Sequence, residues 1–153
     1  MLDEFMQQLD RKFVILGVGN RLKSDDAAGV VLAEEMKKIF PERTFVAGTA
    51  PENYAEKIAQ LSPEVLIIID AVDFEGSPGE TRLFAAEEMM NSFSLTHGPG
   101  FSLLVKFLKN QQDIDVKLLG IQPLDIAFGE ELSPEVEVGI LKLLKKVKSR
   151  VNP

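Results

Sequence analysis

The run Val65-Leu-Ile-Ile-Ile69, set between Pro63 and Asp70, constrains the fold more than any other part of this sequence. It is continuously apolar, too short for a buried helix, and lacks the every-second-residue polarity of a strand with one wet face. It therefore reads as a central strand covered on both faces, which calls for layers of helix above and below a parallel sheet. Lys12 to Gly19 is a second such run; it ends in Gly17-Val-Gly19, the punctuation of a strand entering a tight turn.

The elements around these two runs alternate. Asp25 to Phe40 carries Val30, Val31, Ala33, Met36 and Ile39 at helical spacing, with acids at its start and Lys37-Lys38 near its end, an order that suits the helix dipole. Thr44 to Ala47 reads as a strand and Asn53 to Leu61 as a helix. Gly76, Pro78 and Gly79 turn the chain before a short strand, Thr81 to Phe84. That connection is too short for a crossover helix, so the strand is expected to be antiparallel to its neighbour. Ala85 to Asn91 reads as a helical turn and Ser92 to Gly100 as a loop. Phe101 to Asn110 reads as a helix and Val116 to Ile121 as a strand. The last helix starts with Ser133 as N-cap and Pro134 at its first position, and is expected to turn Val138, Leu141, Leu144 and Val147 inward. The expectation is a three-layer α/β fold: a mostly parallel five-stranded sheet, helices on both faces, one short strand antiparallel. Residues 1–12 read as a leader or short helix and residues 13–153 as a single α/β domain.

Composition removes several chemistries. The 153 residues include no cysteine and one histidine, His97. Disulfides, thiolate metal sites and cysteine nucleophiles are excluded, as is any site needing two imidazoles from one chain. A formal charge of −7 argues against general nucleic-acid binding, which needs cationic surface. No 18-residue apolar run or basic-then-apolar leader occurs, so the expectation is a cytoplasmic protein without membrane insertion.

In open α/β sheets ligands bind beyond the carboxyl ends of the parallel strands. The first strand delivers Gly17 to Asn20 and then Ser24-Asp25-Asp26 to that rim, the central strand delivers Asp70 and Asp73, and the loop holding His97 can reach it. Asp26, Asp70 and His97 would form a two-carboxylate, one-imidazole set suited to zinc, nickel or another borderline divalent ion. Simpler roles compete: Asp25 and Asp26 as helix caps, Asp70 satisfied by loop amides, Asp73 as a turn residue. Gly17-x-Gly19 invites a nucleotide-binding reading, but the third glycine is missing and two aspartates stand where phosphate would lie. A serine hydrolase using Ser24, Ser94 or Ser102 would lack the Gly-x-Ser-x-Gly elbow.

An ordered set of motifs resembles the nickel-iron hydrogenase maturation endopeptidases, most closely the hydrogenase-3-type (HycI) branch. The carriers are Leu16-Gly-Val-Gly-Asn20, Ser24-Asp-Asp-Ala-Ala-Gly29, Thr49-Ala-Pro-Glu-Asn53, Asp70-Ala-Val-Asp73, Pro78-Gly-Glu80, Thr96-His97 and Leu119-Gly-Ile-Gln-Pro123. The resemblance spans the chain from about Phe13 to the last helix. It implies an endopeptidase that removes the C-terminal extension of the hydrogenase large-subunit precursor after nickel insertion. It places the metal-contacting, catalytic positions on Asp26, Asp70 and His97. Nickel would arrive with the precursor, with no organic cofactor, and the enzyme would be a monomer that meets its partner transiently. The competing class is a non-enzymatic nickel- or nucleotide-binding α/β module.

Overall fold

The computed structural model describes residues 2–88 and 98–153. Five strands, β1 (Phe13–Val18), β2 (Thr44–Gly48), β3 (Val65–Ala71), β4 (Thr81–Ala85) and β5 (Asp115–Ile121), form one sheet in the order β2-β1-β3-β5-β4. Only β4 is antiparallel, pairing Leu83 with Leu119 on β5. The Val65–Ile69 run lies on the central strand, in register with Phe13–Gly17 on one side and Asp115–Leu119 on the other.

Alternate residues of β3 feed two cores, as the pleat requires. Val65, Ile67 and Ile69 pack with Leu32 and Met36 of α2 (Ala28–Ile39) and with Ile140, Leu143 and Val147 of α5 (Pro134–Val151). Leu66 and Ile68 pack with Ile58 of α3 (Ala55–Leu61) and with Leu104 and Leu108 of α4 (Gly98–Gln111). Each fully buried aliphatic side chain contributes roughly 1.5–3 kcal/mol. This arrangement is the expected mostly parallel sheet with helices on both faces.

The N-terminal residues belong to the first core. Leu2–Gln8 forms α1, whose Phe5 is fully buried with Leu9 beside it. Arg150 of α5 donates to the Met6 carbonyl and pairs with Asp10, while Arg11 donates to Asp115 at 2.8 Å.

Three local features differ from the sequence expectation. Ser24–Ala27 is a 3₁₀ turn, so the α-helix begins only at Ala28. The helix expected from Phe101 begins at Gly98, taking in Gly98-Pro99-Gly100; proline suits a first helical turn because its missing N–H has no partner there. In α5, Leu144 and Val147 are buried as expected, but Val138 and Leu141 are exposed. That helix is apolar on more than one flank, and the stripe Val136, Ile140, Leu143, Leu144, Val147 outcompetes the Val138–Leu141 flank for the sheet.

Burial of Phe5 predicts that Phe5→Ala destabilises the whole domain by about 3–5 kcal/mol, the usual cost of deleting a core phenyl ring. Urea unfolding checks this: a variant as stable as wild type would show that α1 is dispensable to the core.

Candidate active site

The chain leaves β1 toward β2 on one side and returns to β3 on the other, so the strand order reverses between β1 and β3. Such a reversal opens a crevice at the carboxyl ends of the strands. Asp26 follows β1 and Asp70 ends β3, so the two acids flank that crevice. Both are almost fully buried.

Gly29 sets their approach. A Cβ there would lie 2.3 Å from the Ile69 carbonyl oxygen and 2.4 Å from that of Val18, so α2 rests directly on the ends of β1 and β3. The turn bearing Asp26 is thereby held over Asp70. Burial raises the Asp70 pKa well above the ordinary carboxylate value, the negative charge of Asp26 raises it further, and the Ala71 N–H (2.8 Å) opposes the shift. Asp26 in turn accepts a hydrogen bond from the Asn20 amide at 3.2 Å. His97, the third residue of the expected set, lies outside the described residues. Among the described residues no three His, Cys, Asp or Glu side chains cluster as a metal site.

Asp25 is not the helix cap that its position implied. Neither the 3₁₀ turn nor α2 has a side-chain cap. The fully buried Asp25 carboxylate reaches across to the loop after β5, accepting from the amides of Leu124 (2.9 Å), Asp125 (3.0 Å) and Ser133 (2.7 Å) and from the Ser133 hydroxyl (2.8 Å). Burial alone would raise its pKa, yet these donors hold it below the ordinary value. Ser133 thus serves Asp25 with the hydroxyl expected to cap α5.

Gln122 is a second organiser that its residue type did not announce. Its Oε1 accepts from the amides of Phe74 (2.9 Å) and Gly76 (3.0 Å), and its Nε2 donates to Asp73 Oδ1 at 3.1 Å. Asp73 also accepts from the Glu75 amide, the turn role expected of it. After β2, Pro51–Tyr54 forms a turn in which Glu52 Oε2 is buried without a hydrogen-bond partner among the described residues, packed toward Gly100.

Some of the groups that the competing chemistries need are engaged elsewhere. A Cβ on Gly19 would lie 2.3 Å from the Asp26 carbonyl oxygen, so that glycine permits a close backbone approach. The Asn20 amide, which a phosphate site would need as a donor, is already engaged by Asp26. The Ser24 hydroxyl donates to the Ala127 carbonyl at 2.8 Å, and Ser94 lies outside the described residues. No helix among the described residues is long and apolar enough to cross a membrane.

Known proteins share this fold and part of this sequence. The sequence model of the hydrogenase maturation protease family matches residues 30–150. A putative hydrogenase maturation protease of Methanocaldococcus jannaschii is 32% identical over 144 residues, covering 88% of this chain and 85% of that protein. The hydrogenase 3 maturation protease of Escherichia coli K12 is 38% identical over 120 residues, 75% of each chain. The crystal structure of the [NiFe] hydrogenase maturation protease HycI from Thermococcus kodakarensis superposes with a TM-score of 0.80 at 30% identity, covering 91% of both chains. The mostly parallel α/β sheet of this chain thus has named counterparts among hydrogenase maturation proteases. The chain belongs to the HycI family of hydrogenase maturation proteases.

The acids set three expectations for stability. Asp25→Ala leaves three part-buried amides and the Ser133 hydroxyl without their acceptor and should cost about 1–3 kcal/mol in denaturant unfolding. Because the folded-state pKa of Asp25 is depressed, its contribution is present above the unfolded carboxylate value and is lost as pH falls through the folded value. Acid unfolding of Asp25→Asn should accordingly be less steep than that of wild type. Asp70 has the opposite sign: its raised folded-state pKa means that ionisation opposes folding as pH climbs past the unfolded value. Asp70→Asn should raise Tm at pH 7 by ~2–4 °C, the shift expected for on the order of 1 kcal/mol in a domain of this size. A lower Tm would show that Asp70 is a structural group.

Proposed function

We propose that this enzyme removes the C-terminal extension of a nickel-iron hydrogenase large-subunit precursor once nickel has been inserted, using the bound nickel as its recognition signal. The supporting observation is the convergence of Asp26 and Asp70, two nearly buried carboxylates from separate strand ends that repel one another. A dication between them would relieve that repulsion, and carboxylate with imidazole is a donor set that nickel accepts. Asp26, Asp70 and His97 contact nickel already held by the precursor's cysteines, so the metal is part of the substrate and the enzyme carries no cofactor of its own. Three ligands from the enzyme leave coordination positions for the substrate's own groups.

In this reading Asp26 and Asp70 orient the nickel-bearing end of the precursor so that the scissile peptide lies beside them, and positioning supplies much of the rate. A nickel-free precursor offers no cation to the acid pair and is passed over. The enzyme acts in the cytoplasm, as a monomer that releases its product.

Intact-mass measurement of an authentic precursor checks this. The nickel-loaded form should lose a C-terminal peptide and the nickel-free form should not. Asp26→Asn, Asp70→Asn and His97→Ala should each slow processing by about 100-fold or more, the scale of losing a group that acts in the transition state, while remaining folded. Full processing by all three variants would remove them from the site.

A further inference from the structure

Beside the acid pair lies a surface that the fold leaves uncovered. Phe128 is 84% exposed, Leu124 56%, Leu22 55% and Ile126 52%. Single exposed apolar residues are ordinary, but four large ones on two joined loops are not.

The two loops are tied to each other. The Ser24 amide donates to the Gly129 carbonyl (2.8 Å), the Gly129 amide to the Leu22 carbonyl (2.9 Å), and the Asp25 amide to the Asp125 carbonyl (2.9 Å). Lys23 and Gly129 form a parallel β-bridge, and the Ser24 hydroxyl adds its bond to Ala127. The Asp25 carboxylate holds the same loops from beneath. These four side chains are therefore presented by a hydrogen-bonded framework that keeps them from folding inward. Leu22 also walls an open groove of about 340 Å³ with Ala27, Val31 and Leu132.

We infer that this loop pair is the docking surface for the folded body of the precursor, a reading that rests on the proposed function. Leu22 stands four residues before Asp26, and the amide of Leu124 is bonded to the residue next to Asp26. A protein substrate whose metal-bearing end reaches Asp26 and Asp70 has this patch within reach of its adjacent surface. Arg21, paired with Glu34, and Lys23 flank Leu22, while the exposed acids Asp125, Glu130 and Glu131 flank Ile126 and Phe128, so the matching surface is an apolar recess whose margin is basic on the Phe128 side. Framework rigidity lowers the ordering cost of association.

The test compares wild type with the triple variant Leu22→Ser, Ile126→Ser, Phe128→Ser and with the control Leu141→Ser, exposed on α5. Each is assayed on nickel-loaded precursor, with Tm measured alongside. The triple variant should keep its Tm and its kcat within about two-fold, while KM rises about ten-fold or more, the loss expected from removing interface anchors. The control should match wild type. A triple variant with unchanged KM overturns the docking surface and leaves the proposed function standing; failure of wild type to cut the precursor overturns both. Sedimentation adds an independent check, since a wild-type dimer abolished by the triple substitution would assign the patch to a second copy of this chain.

Discussion

One buried carboxylate underlies the architecture of the active face. Asp25 accepts hydrogen bonds from two amides of the loop after β5 and from both the amide and hydroxyl of Ser133, so it joins the β1–α2 turn to the start of α5. Neither loop has a hydrophobic core of its own. Without this anchor the 3₁₀ turn carrying Asp26 would rely on a few backbone bonds near the surface. Adjacent aspartates divide the labour: the first holds the loop in place, and the second faces the crevice.

Asp70 is placed differently, beside a second acid, Asp26. The two approach each other at the end of the sheet, with the Asp70 charge disfavoured by burial and by its neighbour. A fold optimised for stability alone would place a neutral residue at one of these positions. Retaining two acids there carries a stability cost of the kind found at functional sites.

Much of the fold was legible because a few short segments carry unambiguous patterns. Val65–Ile69 indicated a central strand, and the short connection after Asp73 indicated an antiparallel β4; both are observed. The acids at the rim were legible because a carboxyl group closing an apolar strand has few places to go. The rest depended on distant partners. Whether Asp25 caps its own helix or serves a loop a hundred residues away is decided by the position of β5, to which local propensity is blind. The face of α5 was ambiguous for a related reason, since two apolar flanks compete and only packing against β3 and α2 chooses between them. Gln122 was legible as a motif position, but its role required knowing that the 73–80 loop folds back over it.

The contact at Gly29 gives the site a one-sided mechanical character. The spacing of helix and sheet is set there by repulsion between backbone atoms and not by a bond. Such a stop resists compression steeply and separation weakly. Thermal agitation therefore widens the crevice more readily than it narrows it. The turn that carries Asp26 leads into that helix, so it shares the same asymmetry: movement of α2 toward the sheet is closed off, while movement away from it is opposed only by side-chain packing.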